Sequence, residues 1–476
     1  MTILGWNLAD ITMTGFVATQ ALYTLSYASD LYLYTLPVNR ADLEEEPPPV
    51  GADAPYIVLF MPVLRELEET MRTTLLALSR LDYPAHRYEV VAVPNADDGD
   101  MIASLRRLQG EFPFLKMIET PDTRDPSWNI VWQAWNRNPK AYWWHAGKRA
   151  GDRNLPPKKT RQLIYAFYTR AQAIEGDFLV NYIDADSAPP PDHFRRGAAG
   201  MRHFDVLQAE NIAGNLNDSL AASLHAFDHM AWDGRKYAHM SADGRQPYWM
   251  LGKGLFFRAS DLISLGGFHP WITIEDPEVG MRFWKNGKRL GILKNPLIEE
   301  VPLTFGRGIT QRKRWVCGFF QSLTAPLDAM EFTFTEKLKA WMNFVPCLMM
   351  WVNALGIPFG AWTLWKVSQG TAGMPTWVAW LAAINLVLFT VSMIGIYVHT
   401  WNRTKLVLPR TGDRIAYMLR VNPLFVLAWW FVWLIPLAIG FWMYLRDAGL
   451  VWERTEKVNA NGDLIRADTQ RAWRWS

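Results

Sequence analysis

Along this chain apolar residues gather in two ways. In the first half they come as short runs between polar turns: Tyr56–Met61 (YIVLFM), Tyr88–Val93 (YEVVAV), Leu115–Ile118 and Phe178–Ile183 (FLVNYI). Runs of this length predict buried strands, and the helical spacing of Glu66–Leu81 predicts a crossover helix between the first two. Strands alternating with helices predict a doubly wound, mostly parallel α/β sheet, whose ligands sit beyond the carboxyl ends of the strands. Toward the C-terminus the apolar residues run unbroken instead. Trp341–Trp365, Pro375–Thr400 and Asn422–Leu445 contain no Asp, Glu, Lys or Arg. About 20 apolar residues cross the hydrocarbon of a bilayer, so three membrane segments are expected there. Ile11–Ser29 is also uncharged but rich in Thr, Ser and Tyr, which fits a span or an interfacial helix.

The resulting plan has an N-terminal membrane segment and connector (1–42) and an acidic, Pro-rich linker (43–55, beginning LEEEPPP). A cytoplasmic α/β domain (56–310) follows, then a basic–aromatic motif with interfacial helices (311–340). Transmembrane helices (341–446) and a basic tail (447–476) complete it. Composition agrees: charged residues make up 20% and there are 25 Trp, a bias toward the membrane–water interface. A net charge of +3 excludes the basic excess of a nucleic-acid binder. The two cysteines, Cys317 and Cys347, give neither a disulfide framework nor zinc spacing. The first Lys or Arg is Arg40, so the basic start of a signal peptide is absent.

Basic loops set the orientation. The connection 401–421 carries Arg403, Lys405, Arg410, Arg414 and Arg420 against Asp413 alone and should face the cytoplasm, together with the α/β domain. Three crossings would then carry the tail outside, although it holds Arg446, Arg454, Lys457, Arg466, Arg471 and Arg474. Either the charge rule fails for this tail, or one segment does not fully cross.

Candidate chemistry follows the strands. After FLVNYI comes Asp184-Ala185-Asp186, two carboxylates suited to a divalent cation that bridges a diphosphate; Asp there is equally a turn or cap residue. After YEVVAV comes Pro94-Asn95-Ala96-Asp97-Asp98, another acidic turn. Ile274-Glu275-Asp276 offers a carboxylate as general base, or simply acidic residues at a helix start. Lys158, Lys159 and Arg161 suit a phosphate or a solvated helix face. Gly252-Lys253-Gly254 reads as a tight turn entering an aromatic strand through Phe257 and Arg258, its glycines allowing close approach to a ligand. Thr310–Gln321 (TQRKRWVCGFFQ) joins three successive cations to an aromatic run, as a membrane anchor or an anion pocket with an aromatic wall would.

Asp184–Asp186, IEDPEVGMRFWKNG at Ile274–Gly287 and QRKRWVCGFFQ at Gln311–Gln321, in this order and followed by membrane helices, resemble the membrane-integrated family 2 glycosyltransferases. That group includes the cellulose, hyaluronan and curdlan synthases, and the likeness runs from about Tyr56 to Gln321. It implies a GT-A-type domain carrying an inverting, processive transfer from a nucleotide-sugar, a UDP-sugar by resemblance, to a growing β-linked polysaccharide. Asp186 with Asp184 would hold Mg²⁺ or Mn²⁺, Asp276 would be the base and Glu275 its support. Asp184, Lys159, Arg161, Gln311, Arg314 and either Asp97 or Asp98 would meet the donor; Trp315, Gly252, Gly254 and Phe257 would line the acceptor side. The enzyme would sit in the inner membrane with its catalytic domain facing the cytoplasm.

Some features depart from the family. The first acidic turn reads VPNADDGD, without an Asp directly after the strand, and Ile274 stands in place of Thr. The stretch between Pro121 and Pro157, with Trp128, Trp132, Trp135, Trp143 and Trp144, has no counterpart and fits packing or a membrane interface. Trp452–Lys457 (WERTEK) resembles a tail that is cytoplasmic in bacterial members. Ceramide glucosyltransferases share a similar motif, so transfer of one sugar to a lipid is the alternative. With so few spans, a polysaccharide channel would call for a homodimer or a secretion partner. A silent membrane scaffold is the reading that Asp184, Asp186, Asp276 and Arg314 together oppose.

Overall fold

The computed structural model describes residues 2–3, 6–41, 51, 53–239, 241, 247–447 and 457–467, without the side chains of 2–9, 233–235, 343–355 and 467. Most of the 43–55 linker and residues 452–456 of the WERTEK stretch lie outside the described residues.

The strands that position the site are β1 (Ile57–Pro62), β2 (Tyr88–Val93), β3 (Leu115–Met117), β4 (Leu179–Tyr182), β5 (Val206–Gln208), β6 (Asn211–Ala213), β7 (Leu255–Arg258), β8 (Leu290–Ile292) and β9 (Leu297–Glu299). A mixed sheet runs β8-β5-β7-β4-β1-β2-β3, and β9 pairs with β6 in a separate parallel ladder. Every pairing in the main sheet is parallel except those of β7, which lies antiparallel between β4 and β5 with Phe257 opposite Val180 and Val206. All six residues of β1 are buried, as a central strand covered on both faces requires. The alternation of side chains is plain in β7: Phe257 packs on Phe268 and Phe283, and Phe256 packs on His193 and Phe194 across the sheet.

The sheet is therefore the expected mostly parallel α/β arrangement. The predicted strands fall within a residue of their observed limits, and the crossover helix is Glu68–Leu78. β5, β6, β8 and β9 have three residues each, too short to stand out as apolar runs. The tryptophan-rich stretch is core. Trp128 and Trp135 are fully buried, Trp132 stacks on Trp128 with centroids 5.3 Å apart, and Trp144 stacks on the other face of Trp132 at 5.3 Å.

Helices that bear on the site are α1 (Leu8–Thr35), α2 (Glu68–Leu78), α3 (Gly99–Glu111), α4 (Lys159–Ala173), α5 (Leu220–Ala231), α6 (Asp276–Lys285) and α7 (Phe305–Leu323). The apolar C-terminal part gives α8 (Phe334–Ser368), α9 (Thr376–Thr404), α10 (Pro423–Val432) and α11 (Leu434–Leu445), the last two separated only at Trp433. Among the described residues, Thr376–Thr404 and Pro423–Leu445 are long and apolar enough to cross a membrane, each holding an 18-residue stretch of mean hydropathy 2.2. Ile11–Ser29 lies within α1, which packs on α8 and α9; there Asn385 Nδ2 donates to the Gln20 carbonyl at 2.9 Å.

Candidate active site

At the carboxyl ends of β1, β4 and β9 a cavity of about 260 Å³ opens, walled by Asp184, Asp186, Lys159, Glu275, Asp276, Gln311, Arg314 and Trp315 among others. Residues that lie far apart in sequence thus meet where a doubly wound sheet places its ligands.

Asp276 begins α6, with Pro277 at the next position, where a helix accepts proline at no hydrogen-bond cost. Its carboxyl is pushed up to about 8 by burial and by the neighbouring Glu275, against the pull of Lys159. Glu275 is held by Thr160, whose Oγ1 donates to Oε2 at 3.3 Å, and lies 3.6 Å from the Lys159 ammonium. Gly252 comes close beneath: its φ is +63°, and a Cβ there would stand 2.8 Å from Asp276 Oδ2. A base works as the carboxylate, which forms only as pH rises through its raised pKa. kcat/KM is accordingly expected to climb between about pH 6 and 9 in a pH–rate profile; a flat profile would remove Asp276 from the base's role.

Helix α7 both lines the cavity and braces the turn that leads into Asp276. The Thr273 N–H donates to Gln321 Oε1 at 2.7 Å, and Thr273 Oγ1 donates to Cys317 Sγ at 3.4 Å. Gly318 lets the helix close on this turn, since a Cβ there would meet Ile274 Cγ1 at 2.2 Å. Arg312 and Arg314 of this helix separate in role. Arg314 reaches the cavity, whereas Arg312 turns away and is wholly buried, its Nη2 2.7 Å from Asp228 Oδ2. The expectation of a cluster of cations facing one anion is corrected: helical geometry sends residues two apart to different sides.

Lysines hold both carboxylates of the Asp184–Asp186 turn. Lys159 Nζ donates to Asp184 Oδ1 at 2.8 Å. Burial alone would raise the Asp184 carboxyl; Lys159, with Lys457 and Arg314, reverses this and holds it low. Lys457, from the C-terminal tail, lies 2.5 Å from Asp186 Oδ2 and donates to the Glu300 carbonyl at 2.7 Å. Glu300 in turn accepts from the Val458 N–H at 2.6 Å and the Ala460 N–H at 3.0 Å. Glu299, beside them, is pushed up to about 7 by burial and, despite Lys253, by Asp186 and Asp184.

Other expected residues stand apart from the cavity wall. Asp98 caps α3, its carboxylate accepting from the Met101 N–H at 3.3 Å, and Asp97 is exposed. Arg161 donates to Asn95 Oδ1 at 2.8 Å. Gly254, with φ +54°, packs against His193, and Phe257 lies in the sheet core. Sequence reasoning did not assign Glu299, Asp228 or the position of Lys457 in the site. The acidic pair after the apolar PLI run was a signal for the first. A lysine that reaches Asp186 from 271 residues away leaves none.

The sequence profile of Glycosyl transferase family group 2 matches residues 179–445, more than half of the chain. The chain belongs to this glycosyltransferase family. The glycosyltransferase is 26% identical over 307 residues to beta-monoglucosyldiacylglycerol synthase of Synechocystis sp., a match covering 61% of this chain and 54% of that relative. It thus spans about half the length of the curated relative it matches. Its fold is similar to that of the mannosyltransferase PcManGT from Pyrobaculum calidifontis, solved with GDP-Man and Mn²⁺ (TM-score 0.49, 16% identity, 87% of this chain and 98% of that one). Glucosyl-3-phosphoglycerate synthase from Mycobacterium tuberculosis, solved with Mn²⁺, UDP and its product, gives a TM-score of 0.31 at 15% identity, over 62% of this chain and 89% of that one.

Proposed function

We propose that this glycosyltransferase moves one sugar from a nucleotide-sugar, a UDP-sugar by family resemblance, to a hydroxyl of a membrane lipid, with inversion at the anomeric carbon. The observation that carries the reading is the cavity's apolar lining. It includes Val316 and Phe319 of α7 with Trp433 and Leu437, and these last two belong to a segment whose outer face is exposed and apolar. An acyl chain fits such a wall, and the name of the Synechocystis relative points the same way. In this reading Asp276 takes the acceptor proton as the hydroxyl oxygen attacks, Glu275 and Gly252 hold that carboxylate in place, and Arg314 faces the charge that grows on the departing diphosphate. No covalent nucleophile is required.

A divalent ion fits the Asp184–Asp186 turn, because the ammonium of Lys457 already sits as a cation against Asp186 and the Glu300 carbonyl. Mg²⁺ or Mn²⁺ bound by these two aspartates and the donor's own phosphate oxygens would supply charge neutralisation at the leaving group. Lys457 competes for that place. Lys457→Ala is therefore expected to lower the metal concentration giving half-maximal activity several-fold in a metal titration; an unchanged or higher value would show that the lysine does not compete.

Trp315 supports a second reading, extension of a polysaccharide. It lines the cavity with its ring against His229, where a sugar acceptor would stack. Gln321, the last residue of the QRKRWVCGFFQ motif, is engaged with Thr273 instead. The test is nucleotide release by purified enzyme in nanodiscs, over a panel of UDP-sugars with Mg²⁺ or Mn²⁺, followed by mass spectrometry of the product. A lipid bearing one hexose is expected. A sized polymer would favour the second reading, and no donor-dependent release beyond that of Asp276→Asn would overturn both.

A further inference from the structure

Pro423–Leu445 has the length and composition of a transmembrane helix, yet the α/β domain holds it before, along and after its course. Before it, Tyr417 Oη donates to the Ser223 carbonyl at 3.2 Å, Asn217 Nδ2 donates to the Asp413 carbonyl at 2.9 Å, and Arg420 donates to the Asn217 carbonyl. Midway, the indole N–H groups of Trp429 and Trp433 both donate to Asp228 Oδ2, at 2.9 and 2.8 Å, beside the buried Arg312 guanidinium. Gly440 allows close contact with α7, since a Cβ there would meet the Lys313 carbonyl oxygen at 2.6 Å. After it, Arg149 donates to Asp447 at 2.8 Å and Lys457 meets Asp186. Thr73 donates to Asn459 at 2.8 Å and Arg80 to the Ile465 carbonyl at 3.1 Å.

A helix of this length measures about 34 Å, enough to carry one end through a bilayer core. Crossing would put its ends on opposite sides, but both ends bind the same folded domain. Its two faces differ accordingly: Val426, Trp429, Leu437 and Gly440 are turned to the protein, while Leu424, Ile435, Trp442 and Leu445 are exposed.

We propose that Pro423–Leu445 does not cross the membrane. It lies in the membrane plane along the catalytic domain, with its outer apolar face in the lipid leaflet on that domain's side. Lipid is the occupant this face fits, because the segment carries no charged residue and its exposed side chains continue the apolar character of those on α9, such as Leu386 and Val387. The arrangement also settles the sidedness of the basic tail: α8 and α9 leave and return, and the tail stays with the domain as its Arg and Lys residues require. The inference rests on these contacts and not on the identity of the acceptor, so failure of the lipid-acceptor reading would leave it standing.

The test labels single cysteines in the full chain, in membrane vesicles of both orientations, with a membrane-impermeant maleimide. Cys347 is replaced by Ala, and the buried Cys317 is kept. Reporters are Arg124→Cys on the domain, Thr371→Cys between α8 and α9, and Arg446→Cys after α11, all exposed positions. Arg446→Cys should react from the side of Arg124→Cys, and Thr371→Cys from the other. Reaction of all three from one side would also uphold the in-plane segment, while removing the crossing from α8 and α9. Reaction of Arg446→Cys from the side opposite Arg124→Cys would overturn the proposal. If Arg446→Cys does not accumulate, Asp463→Cys on the tail helix Gly462–Ala467 gives the same reading.

Discussion

Asp276→Asn should lower kcat by about three orders of magnitude, within the range that general base catalysis supplies, while leaving the fold intact. Asn retains the shape beneath which Gly252 fits but cannot accept the acceptor's proton. A separate readout tells loss of the base from damage to the site. Burial and Glu275 raise the Asp276 carboxyl in the folded enzyme, so the unfolded chain releases its proton first. The wild type therefore loses stability as pH rises from the ordinary carboxylate range through about 8, and the amide does not. Thermal unfolding should show Asp276→Asn gaining on the wild type above pH 8, and matching it below about pH 4. Near-normal turnover in the variant would move the base elsewhere, with Glu275 the next candidate.

The second large effect concerns Asp228. One of its oxygens accepts from Arg312 and from two indoles, and thereby joins α5, the cavity helix α7 and Pro423–Leu445. Asp228→Ala removes the carboxylate that pairs with the fully buried Arg312 charge, which should cost about 3–5 kcal/mol. Thermal unfolding in detergent should register this, and activity should fall with it as α7 loosens and Arg314 and Trp315 lose their placement. Replacing both partners, Asp228→Leu with Arg312→Met, should recover much of the stability, because an apolar pair of similar volume leaves no buried charge. A double variant as unstable as Asp228→Ala would show that the indole hydrogen bonds, not the ion pair, carry the energy.

How legible all this is in the sequence differs by element. The long central strands stand out because burial on both faces makes them continuous apolar runs, as in YIVLFM. β5, β6, β8 and β9 hide, since three residues outside a longer apolar run carry no period. Asp184, Asp186, Asp276 and Arg314 are legible because a strand end, the IED segment at a helix start and a basic–aromatic motif mark them, and the structure brings all four into one cavity wall. Asp98 is ambiguous for a physical reason: the same carboxylate that would bind a nucleotide is also a good helix cap, and here it caps. Arg312 and Arg314 look equivalent in a row of cations, and only helical phase separates the structural one from the one facing the cavity. The positions of Lys457 and Asp228 are tertiary facts, made by chain segments that return from far away.

The Asp228 anchor also bears on where in a cell such an enzyme can work. A free transmembrane helix answers hydrophobic mismatch by tilting. Pro423–Leu445, tethered to the domain before, at and after its middle, has no such freedom, and its depth is set by the protein. In the proposed in-plane arrangement, adaptation to thicker or thinner bilayers falls to the helices that cross, and the apolar part of the cavity lining keeps a constant depth in its leaflet.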